Sequence, residues 1–419
     1  MTKQDLIKKL DQIKKASLIL GLSSARQRNS ALQEIARILK QNQIEILQAN
    51  QKDAVKLSKS NPMLDRIILT KPRLASIIKD IKTVIKLECP LNKIIEQRKL
   101  QNGLIIKKVS VPFGVIAVIY ESRPNVTVDA VSLCLKSGNA IVLKGGKEAW
   151  QSNQILVQLI KRAIKKAGFS QDLILNIDPK NRYLAKRLLS AKNYIDLIIP
   201  RGGAGLINFV QKNSKIPVIE TGAGVCHTFV DEFADLEMAV NIIYNAKTSR
   251  PSVCNGLDAL IVHQKIADRL LPVLGQRLAK SRVEIFADAI SHKVLKQSNY
   301  PYLQKAKKTD FGCEFLSLKM AIKTVKNFDQ ALAHVRKYST KHSEAIITEN
   351  RQNAQKFLSE VDAACVYHNA STRFTDGSQF KMGGEIGIST QKLHARGPMS
   401  VKELTSYKWI IEGKGQIRK

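Results

Sequence analysis

Between residues 111 and 219 the chain alternates short apolar runs with longer amphipathic segments, and this alternation limits the possible folds more than any other feature. The runs VIAVIY, AIVLK, LILNI and IDLIIP have the length and composition of buried strands. The intervening VTVDAVSLCLKSG and SNQILVQLIKRAIKKAG carry apolar residues at helical spacing, and the second is predicted to begin at Ser152 and end at Gly168. This order predicts a parallel, doubly wound sheet that binds ligands beyond the carboxyl ends of its strands.

A second α/β series follows ETGAG (220–224) and predicts a second domain. The 419 residues also exceed the roughly 250 to 300 at which a single core stops growing. We therefore predict a Rossmann-like nucleotide-binding domain over 1–225, a second α/β domain over 226–370, and a return segment with a C-terminal strand over 371–419. Apolar residues at three- and four-residue intervals predict long helices over the first 60 residues.

Asn102-Gly103 lies between strand-like runs, which predicts a hairpin arm at about residues 96–112. The run YKWII near the C-terminus predicts a late strand. Exposed strand edges are normally covered by a partner, so we expect the arm and this strand to pair across subunits. The expected assembly is a homo-oligomer, either a dimer or a tetramer.

The formal net charge of +33 would attract nucleic acid, anionic membranes or phosphorylated metabolites. The lysines are spread along the whole chain, which favours solvated faces over a nucleic-acid-binding arm. No apolar run approaches the roughly 18 residues that a membrane helix needs, and the N-terminus has helical spacing in place of a signal peptide. We predict a cytoplasmic protein with neither nucleic acid nor membrane as a partner.

The six cysteines are far apart, with no CxxC pair and no histidine at metal-ligand spacing. This pattern predicts thiols in a reducing compartment, with no disulfide framework and no metal site. Cys254 stands out, because Arg250 and Pro251 precede it on a predicted loop and a nearby cation favours the nucleophilic thiolate. The alternative is a buried structural thiol.

Two glycine turns follow predicted strands. In IDLIIPRGGAGLINFV, Gly202 and Gly203 connect a strand to a helix whose N-terminal amides suit an anion. The match to GxGxxG is imperfect, so a tight turn without a ligand is the alternative. In KGGKEA, Lys144 and Lys147 flank the end of another strand.

Six strings together resemble the gamma-glutamyl phosphate reductases, a branch of the aldehyde dehydrogenase superfamily. They are YESRPNV, VIETGAGVCHTFVDE, SRPSVCN, NASTRFTDG, GEIGIST and LHARGPM. The resemblance runs in the same order from about residue 20 to the C-terminus, and YESRPNV and LHARGPM are specific to that branch. The resemblance implies an aldehyde-dehydrogenase-like α/β fold, with a Rossmann-type cofactor domain, a catalytic domain and a β-hairpin oligomerisation arm.

The activity implied by this resemblance is NADPH-dependent reduction of L-glutamate 5-phosphate to L-glutamate 5-semialdehyde, with release of phosphate, in L-proline biosynthesis. Cys254 would form a thioester, and Asn125 would donate a hydrogen bond to the oxyanion. A helix N-cap is the alternative role for Asn125. Association with glutamate 5-kinase, which makes the unstable substrate, is a further hypothesis.

The resemblance also assigns cofactor contacts. Lys144 corresponds to a lysine near the adenine ribose, and Glu314 to an acidic residue for the nicotinamide ribose. Lys147 stands where NAD-preferring relatives have a glutamate, and a lysine would attract the 2′-phosphate, so we predict NADPH over NADH. A solvated lysine is the alternative.

For the substrate, Arg123, Arg373, His394 and Arg396 are candidates as a group to bind its phosphate and carboxylate. Glu220 matches the water-activating glutamate of hydrolytic aldehyde dehydrogenases, 34 residues before the cysteine. The implied reaction needs no water, so we predict that Glu220 is protonated or turned away from Cys254 and organises the pocket.

Two departures from the expected strings affect the predicted shape of the pocket: residues 379–385 (QFKMGGE) and Gly256, where alanine is usual. Two competing functions stay open. One is a hydrolytic or phosphorylating aldehyde dehydrogenase acting on another substrate, which Glu220 favours. The other is a non-enzymatic basic binding protein, which only the net charge favours.

Overall fold

A computed structural model describes residues 2–58, 64–121 and 123–418 of the chain. Residues 1, 59–63, 122 and 419 lie outside the described residues, as does the side chain of Arg182. Ser122 of the YESRPNV string and the end of the predicted N-terminal helical region therefore receive no structural account.

The described residues form sixteen strands and fourteen α-helices. The strands are β1 (Ile94–Lys99), β2 (Ile105–Pro112), β3 (Val115–Tyr120), β4 (Ala140–Lys144), β5 (Ile174–Asn176), β6 (Leu197–Arg201), β7 (Cys226–Val230), β8 (Leu257–His263), β9 (Glu284–Ala287), β10 (Leu303–Lys305), β11 (Lys319–Val325), β12 (Ser343–Ile347), β13 (Cys365–His368), β14 (Gly387–Ser389), β15 (Gly397–Met399) and β16 (Thr405–Glu412). The helices are α1 (Lys3–Leu22), α2 (Ala25–Gln41), α3 (Gln43–Ala54), α4 (Leu64–Ile67), α5 (Lys71–Lys86), α6 (Pro124–Lys136), α7 (Trp150–Lys166), α8 (Arg182–Leu188), α9 (Ala204–Asn213), α10 (Leu236–Thr248), α11 (Gln264–Lys280), α12 (Ala289–Gln297), α13 (Phe328–Tyr338) and α14 (Arg351–Glu360).

The chain folds into two compact units, and the return segment contributes to both. Unit 1 contains residues 1–221, 381–387 and 398–419, and unit 2 contains residues 222–380 and 388–397. The division between Thr221 and Gly222 lies four residues before the boundary expected from the sequence. Residues 371–419, expected as one segment, are divided between the two units.

Unit 1 is built on a four-stranded parallel sheet in the order β5-β4-β3-β6. All six residues of β3 are buried, as expected for a central strand with both faces covered. The predicted alternation of strands and helices is confirmed. Because all four strands run in the same direction, the segments after β3, β4 and β6 emerge at one edge of this sheet.

The predicted hairpin is present in unit 1 as β1 and β2, which pair antiparallel. Gly103 has a φ of +87° in the connecting turn, a conformation that favours glycine. The C-terminal strand β16 pairs with β2 of its own chain, which differs from the expectation that it pairs across subunits. In the resulting three-stranded sheet β2 is central, and β1 and β16 are the edge strands.

Helix α7 begins two residues earlier than predicted, at Trp150, and Ser152 is not its N-cap. The carboxylate of Asp53, on α3, instead accepts hydrogen bonds from the backbone N–H and the hydroxyl of Ser152, both at 2.8 Å. A distant acidic side chain therefore accepts from a backbone amide at the start of this helix that has no acceptor within the helix.

Unit 2 is built on a seven-stranded parallel sheet in the order β10-β9-β11-β8-β7-β12-β13. Strand β8 is buried along all seven residues, and α10 and α11 pack into the hydrophobic core beside it. Strands β14 and β15 form a separate two-stranded sheet where the chain passes between the units. Among the described helices, none combines the length and apolar character that a membrane span requires.

Candidate active site

In unit 1 the predicted site residues follow the strands of the parallel sheet. Arg123 and Asn125 come after β3, Lys144 is the last residue of β4, and Gly202 and Gly203 connect β6 to α9. These positions lie at the carboxyl edge of the sheet, where open α/β folds bind ligands. The alternation of strands and helices predicted this edge as the place for ligands, and the resemblance singled out Arg123 and Asn125 there.

Asn125 lies in the first turn of α6, one residue after Pro124, which starts the helix. Arg123 occupies the N-cap position, so the alternative role of Asn125 as a helix N-cap is wrong. The Asn125 amide Nδ2 donates to a carboxylate oxygen of Asp129 at 3.1 Å. An amide nitrogen carries two hydrogens, and this bond uses one of them. Because the bond orients the Asn125 side chain, it also fixes the direction in which the second N–H points.

Burial raises the pKa of Asp129 to about 7, with the hydrogen bond from Asn125 acting in the opposite direction. Asp80 and Glu385 also raise the pKa of Asp129, whereas Arg201 lowers it. The carboxyl that orients the candidate oxyanion donor therefore titrates near neutral pH.

The glycine turn between β6 and α9 is occupied by an acidic side chain of unit 1. The backbone N–H of Gly203 donates to Oε1 of Glu121 at 3.1 Å. A Cβ atom on Gly202 would lie 2.5 Å from the carboxylate carbon of Glu121, so a larger residue there would require the Glu121 side chain to move. The Gly203 amide at this turn is therefore engaged by a side chain of the same unit, and cofactor binding by Gly202 and Gly203 stays a prediction.

The two candidate cofactor lysines have different environments. Lys144 is half-buried, and burial lowers the pKa of its ammonium group while nearby Glu148 acts in the opposite direction. Lys147 is exposed at the start of a single 3₁₀ turn. Both lysines therefore stay on the carboxyl side of β4, and Lys147 is accessible to a ligand.

Glu220 is half-buried near the end of unit 1. Its neighbours are fixed to β6: the Ile219 N–H donates to the Ile198 carbonyl at 3.0 Å, and the Thr221 hydroxyl donates to the Pro200 carbonyl at 2.6 Å. The backbone on both sides of Glu220 is therefore held against the sheet. The predicted protonation or orientation of Glu220 relative to Cys254 stays a prediction.

In unit 2, Cys254 lies on the loop between α10 and β8 and is half-buried. The segment 222–226 passes directly beneath this loop. A Cβ atom on Gly224 would lie 1.8 Å from the Cys254 carbonyl oxygen, so only glycine fits there. The Gly224 N–H donates to Oε1 of Glu314 at 2.9 Å, which brings the candidate cofactor glutamate close to the cysteine loop.

Asn255, the residue after Cys254, is buried and ties the loop to residues 372–375. Its Nδ2 donates to the carbonyls of Thr375, at 2.8 Å, and Arg373, at 3.3 Å. Its own carbonyl accepts from the Thr372 hydroxyl at 2.8 Å, and its side-chain oxygen accepts from the Arg373 guanidinium. Arg373 also donates to the Ser249 hydroxyl at 3.1 Å.

Arg373, a predicted substrate ligand, is thus part of the scaffold around Cys254. Burial lowers the pKa of its guanidinium, Arg250 acts in the same direction, and the Cys254 thiol acts in the opposite direction. Two arginines therefore lie within electrostatic reach of the loop that carries the thiol. A cationic environment of this kind favours the thiolate form of a cysteine.

The remaining two candidates lie on the return segment within unit 2. His394 is exposed. Arg396 donates to Asp362 at 2.7 Å, and this hydrogen bond is the main reason why the pKa of Asp362 falls to about 2. Lys341 and Lys392 also lie within 3.4 Å of the Asp362 carboxylate. Arg396 therefore belongs to an ion-pair cluster of unit 2.

Sequence reasoning missed four residues that shape the candidate site: Glu121, Asp129, Cys226 and Asn255. Glu121, Cys226 and Asn255 lie inside strings that had been singled out, and for Glu121 and Asn255 their position beside a candidate residue was the available signal. Asp129 lies four residues after Asn125, one helical turn away, and this spacing places both side chains on one helix face. Nothing in the sequence pattern linked Cys226 to Cys254.

The chain was compared with known proteins. The model of the aldehyde dehydrogenase family matches residues 1–293. The gamma-glutamyl phosphate reductase of Pelodictyon phaeoclathratiforme is 51% identical over 419 residues, which cover 99% of each chain. The gamma-glutamyl phosphate reductase of Bacteroides thetaiotaomicron is 52% identical over 376 residues, which cover 89% of each chain.

Among solved structures, the gamma-glutamyl phosphate reductase of Thermotoga maritima has a TM-score of 0.94 and 45% sequence identity. The match covers 99% of this chain and 100% of that one. Two parallel α/β sheets with an antiparallel hairpin sheet are therefore the aldehyde-dehydrogenase-like arrangement that the sequence predicted.

Proposed function

The chain belongs to the gamma-glutamyl phosphate reductases of the aldehyde dehydrogenase family, and from this premise we propose that it reduces L-glutamate 5-phosphate to L-glutamate 5-semialdehyde with NADPH. Membership of this family makes it an oxidoreductase, and the proposed reaction is a step of L-proline biosynthesis. The observation that carries the proposal is the Cys254 loop of unit 2, which holds a half-buried cysteine next to Asn255, whose side-chain oxygen accepts from the Arg373 guanidinium.

The proposed chemistry begins at the Cys254 thiolate. Its sulfur attacks the acyl carbon of the substrate, the carbon–oxygen bond to phosphate breaks, and a thioester remains on Cys254. NADPH, when bound, supplies the hydride that reduces this thioester. The resulting thiohemiacetal oxyanion collapses, and its carbon–sulfur bond breaks. The aldehyde is released, and Cys254 returns to the thiolate form. In both tetrahedral stages negative charge develops on the former carbonyl oxygen, which requires fixed donors.

Asn125 is the proposed donor to this oxyanion, together with the backbone N–H of Cys254. Its amide orientation is set by Asp129, so the group is fixed before the reaction begins. A donor that does not reorganise stabilises developing charge more effectively than one that must be ordered during the reaction. This supports Asn125 in the role that the resemblance implies.

The residues of unit 1 fit a nicotinamide dinucleotide phosphate. Lys144 would lie near the adenine ribose, the exposed Lys147 would bind the 2′-phosphate, and the amides at Gly202 and Gly203 would face the pyrophosphate. In unit 2, Glu314 would bind the nicotinamide ribose. The Gly203 amide donates to the Glu121 carboxylate, and its availability as a donor to an acidic group supports this assignment.

Arg123, Arg373, His394 and Arg396 are the proposed ligands for the anionic groups of the substrate. Arg373 fits best, because its guanidinium already lies beside the cysteine loop. Part of the +33 charge would draw the anionic substrate and cofactor toward the protein. This steering predicts that kcat/KM falls as ionic strength rises, and a kcat/KM insensitive to salt would contradict it.

We also propose that the protein is a homo-oligomer, a dimer or a tetramer. The exposed residues Tyr407, Trp409 and Ile411 alternate along the edge strand β16, which leaves an apolar row for a partner to cover. Light scattering after size-exclusion chromatography measures the mass directly, and a monomer at micromolar concentration would contradict the proposal. The same measurement with added glutamate 5-kinase tests the hypothesis of a kinase complex.

The test of the proposed function follows NADP⁺ reduction at 340 nm with glutamate 5-semialdehyde, with and without inorganic phosphate. We expect activity only with phosphate, and none in the Cys254→Ser variant. Cys313→Ser serves as the control, since this exposed cysteine lies in the same unit. Activity without phosphate would identify a hydrolytic aldehyde dehydrogenase instead.

Substitution of Glu220 distinguishes the proposed reductase from a hydrolytic aldehyde dehydrogenase. If the proposed reaction is correct, Glu220→Gln leaves the rate of hydride transfer within about threefold of wild type, because no water needs a base. A large loss of that rate, with folding and substrate binding intact, would contradict the proposed role of Glu220 as a pocket organiser.

A further inference from the structure

We propose that Asn255 and Cys226 are positioning residues that hold the Cys254 peptide in its reactive geometry. The proposal rests on the proposed function, in which Cys254 is the nucleophile. Neither residue touches the reacting atoms in the proposed chemistry. Both act on the backbone from which the Cys254 thiol projects.

Asn255 fixes the loop from its C-terminal side. The residue is 3% exposed, and both ends of its side-chain amide are engaged with residues 372–375. The Asn255 carbonyl is engaged by the same segment through the Thr372 hydroxyl. Because both the nitrogen and the oxygen of the buried Asn255 side-chain amide have partners, the amide has one orientation. The backbone of Asn255 is therefore fixed as well.

The segment that receives Asn255 is itself held by buried side chains. The Thr375 hydroxyl lies 2.6 Å from the Ser343 hydroxyl and 2.7 Å from the Tyr367 hydroxyl. Ser343 belongs to β12 and Tyr367 to β13, two paired strands of the large sheet. The loop that carries Cys254 is therefore connected through Asn255 and Thr375 to β12 and β13 of the large sheet.

Cys226 contacts the Cys254 residue itself. It is fully buried at the start of β7, and its thiol donates to the Cys254 carbonyl at 3.2 Å. Burial raises the pKa of Cys226 well above its usual value, with Glu344 and Asp258 acting in the same direction. The thiol therefore stays protonated at neutral pH, so it is a hydrogen-bond donor and does not compete as a second nucleophile.

The two contacts converge on one peptide unit. Cys226 binds the carbonyl oxygen of the peptide that joins Cys254 to Asn255, and the Asn255 side chain anchors the residue on its other side. Displacement of a reacting group by about 1 Å can lower a rate about 10²-fold. Loss of the Asn255 anchor should therefore lower kcat by roughly 10- to 100-fold. Because the Asn255 side-chain oxygen also accepts from Arg373, a proposed substrate ligand, KM should rise as well.

The test measures the Cys254 thiol directly. The rate of Cys254 alkylation by iodoacetamide, followed by peptide mass spectrometry from pH 5 to 9, is compared among wild type, Asn255→Ala and Asn255→Asp. We expect both variants to shift the pH profile of alkylation and to lower kcat. An unchanged profile and unchanged kcat in folded Asn255→Ala, as judged by circular dichroism, would overturn the proposal for Asn255.

Cys226 has a matched control in Cys134, which is also fully buried but lies on α6 in unit 1. We expect Cys226→Ala to lower kcat about three- to tenfold, Cys226→Ser to restore most of it through its hydroxyl donor, and Cys134→Ala to have no such effect. An equal loss in Cys226→Ala and Cys134→Ala, or no rescue by serine, would overturn the role of Cys226.

Alkylation requires neither phosphate nor hydride transfer, which separates this proposal from the proposed function. If the phosphate-dependent activity is absent but the alkylation profile shifts in the Asn255 variants, the positioning role stands and the assigned reaction is wrong. If the activity is present and the profiles are unchanged, the reaction stands and the positioning role is wrong.

Discussion

The two units present their candidate residues in different ways. In unit 1 these residues follow neighbouring strands, and the glycine turn at Gly202 and Gly203 is exposed. In unit 2 the Cys254 loop is held by buried polar side chains that come from distant parts of the chain. The difference is that unit 1 presents its candidate residues by the positions of strand ends, whereas unit 2 fixes the Cys254 loop through a scaffold of buried polar side chains.

Asn125 is the residue that tests this comparison most severely, because it lies in unit 1 but is assigned to the chemical step. Removing an oxyanion donor typically lowers kcat about 10²- to 10³-fold, so we expect this loss in Asn125→Ala. Single-turnover measurement of hydride transfer checks it. Asn193→Ala, at an exposed position of the same unit, serves as the control. A loss confined to KM would place Asn125 with the binding residues instead.

Lys147 should affect cofactor binding and not chemistry. Loss of a charge-assisted contact with the 2′-phosphate, together with repulsion from a carboxylate, should weaken NADPH binding by at least about tenfold in Lys147→Glu. Binding of NADPH and NADH to each variant, measured by fluorescence titration, gives the preference. An equal effect in Lys180→Glu, at another exposed lysine of unit 1, would show that overall charge and not this position decides the affinity.

Substitution of Glu121 is expected to change NADPH affinity less than Lys147→Glu does, and in the opposite direction. Its carboxylate and a cofactor phosphate would compete for the Gly203 amide. Because an anion at a helix N-terminus is stabilised by about 0.3 to 1 kcal/mol, Glu121→Gln should strengthen NADPH binding roughly two- to fivefold. The same titration measures it. Weaker binding in Glu121→Gln would mean that this glutamate helps to hold the cofactor.

The smallest expected effect is a change in the free energy of unfolding when Asp129 is substituted. Its pKa in the folded protein is raised to about 7, whereas an unfolded aspartate titrates near 4. The stability that its protonated form contributes is therefore lost progressively as pH rises from about 4 to about 7. Asn does not titrate, so Asp129→Asn should gain stability relative to wild type between pH 5 and 8, on the order of 1 kcal/mol after allowing for partial exposure.

Urea unfolding at pH 5 and at pH 8 measures the free energy of unfolding of Asp129→Asn and of wild type. Asp172→Asn, at an exposed carboxylate in the same unit, is the control. A difference between Asp129→Asn and wild type that does not change with pH would contradict the raised pKa. Unit 2 contains a comparable group, because burial also raises the pKa of Asp258 to about 7.

The sequence was sufficient where a local pattern determines the structure. Alternating runs predicted the parallel sheet of unit 1, and Asn102-Gly103 predicted the hairpin, because helical and strand periods and left-handed turns are encoded by neighbouring residues. The position of Asn125 at the strand edge followed from the same alternation.

It was insufficient where two distant residues determine the structure together. Ser152 was expected to cap α7, but Asp53 on α3 performs this role. Cys226 and Cys254 are joined by a hydrogen bond that no spacing rule contains. Lys247 is fully buried because the carbonyls of Leu257 and Lys319, each at 2.6 Å, accept from its ammonium group. Such pairs depend on how elements pack, which local periodicity does not specify.

The central claim is that Cys254 carries the acyl group, and trapping that group tests it most directly. The protein is mixed with glutamate 5-semialdehyde and NADP⁺ without phosphate, quenched in acid, digested and analysed by mass spectrometry. We predict about one equivalent of NADPH per chain and a glutamyl thioester on the Cys254 peptide, which disappears when phosphate is added before the quench. Continuous turnover without phosphate, or an acyl group on any other residue, would contradict this account.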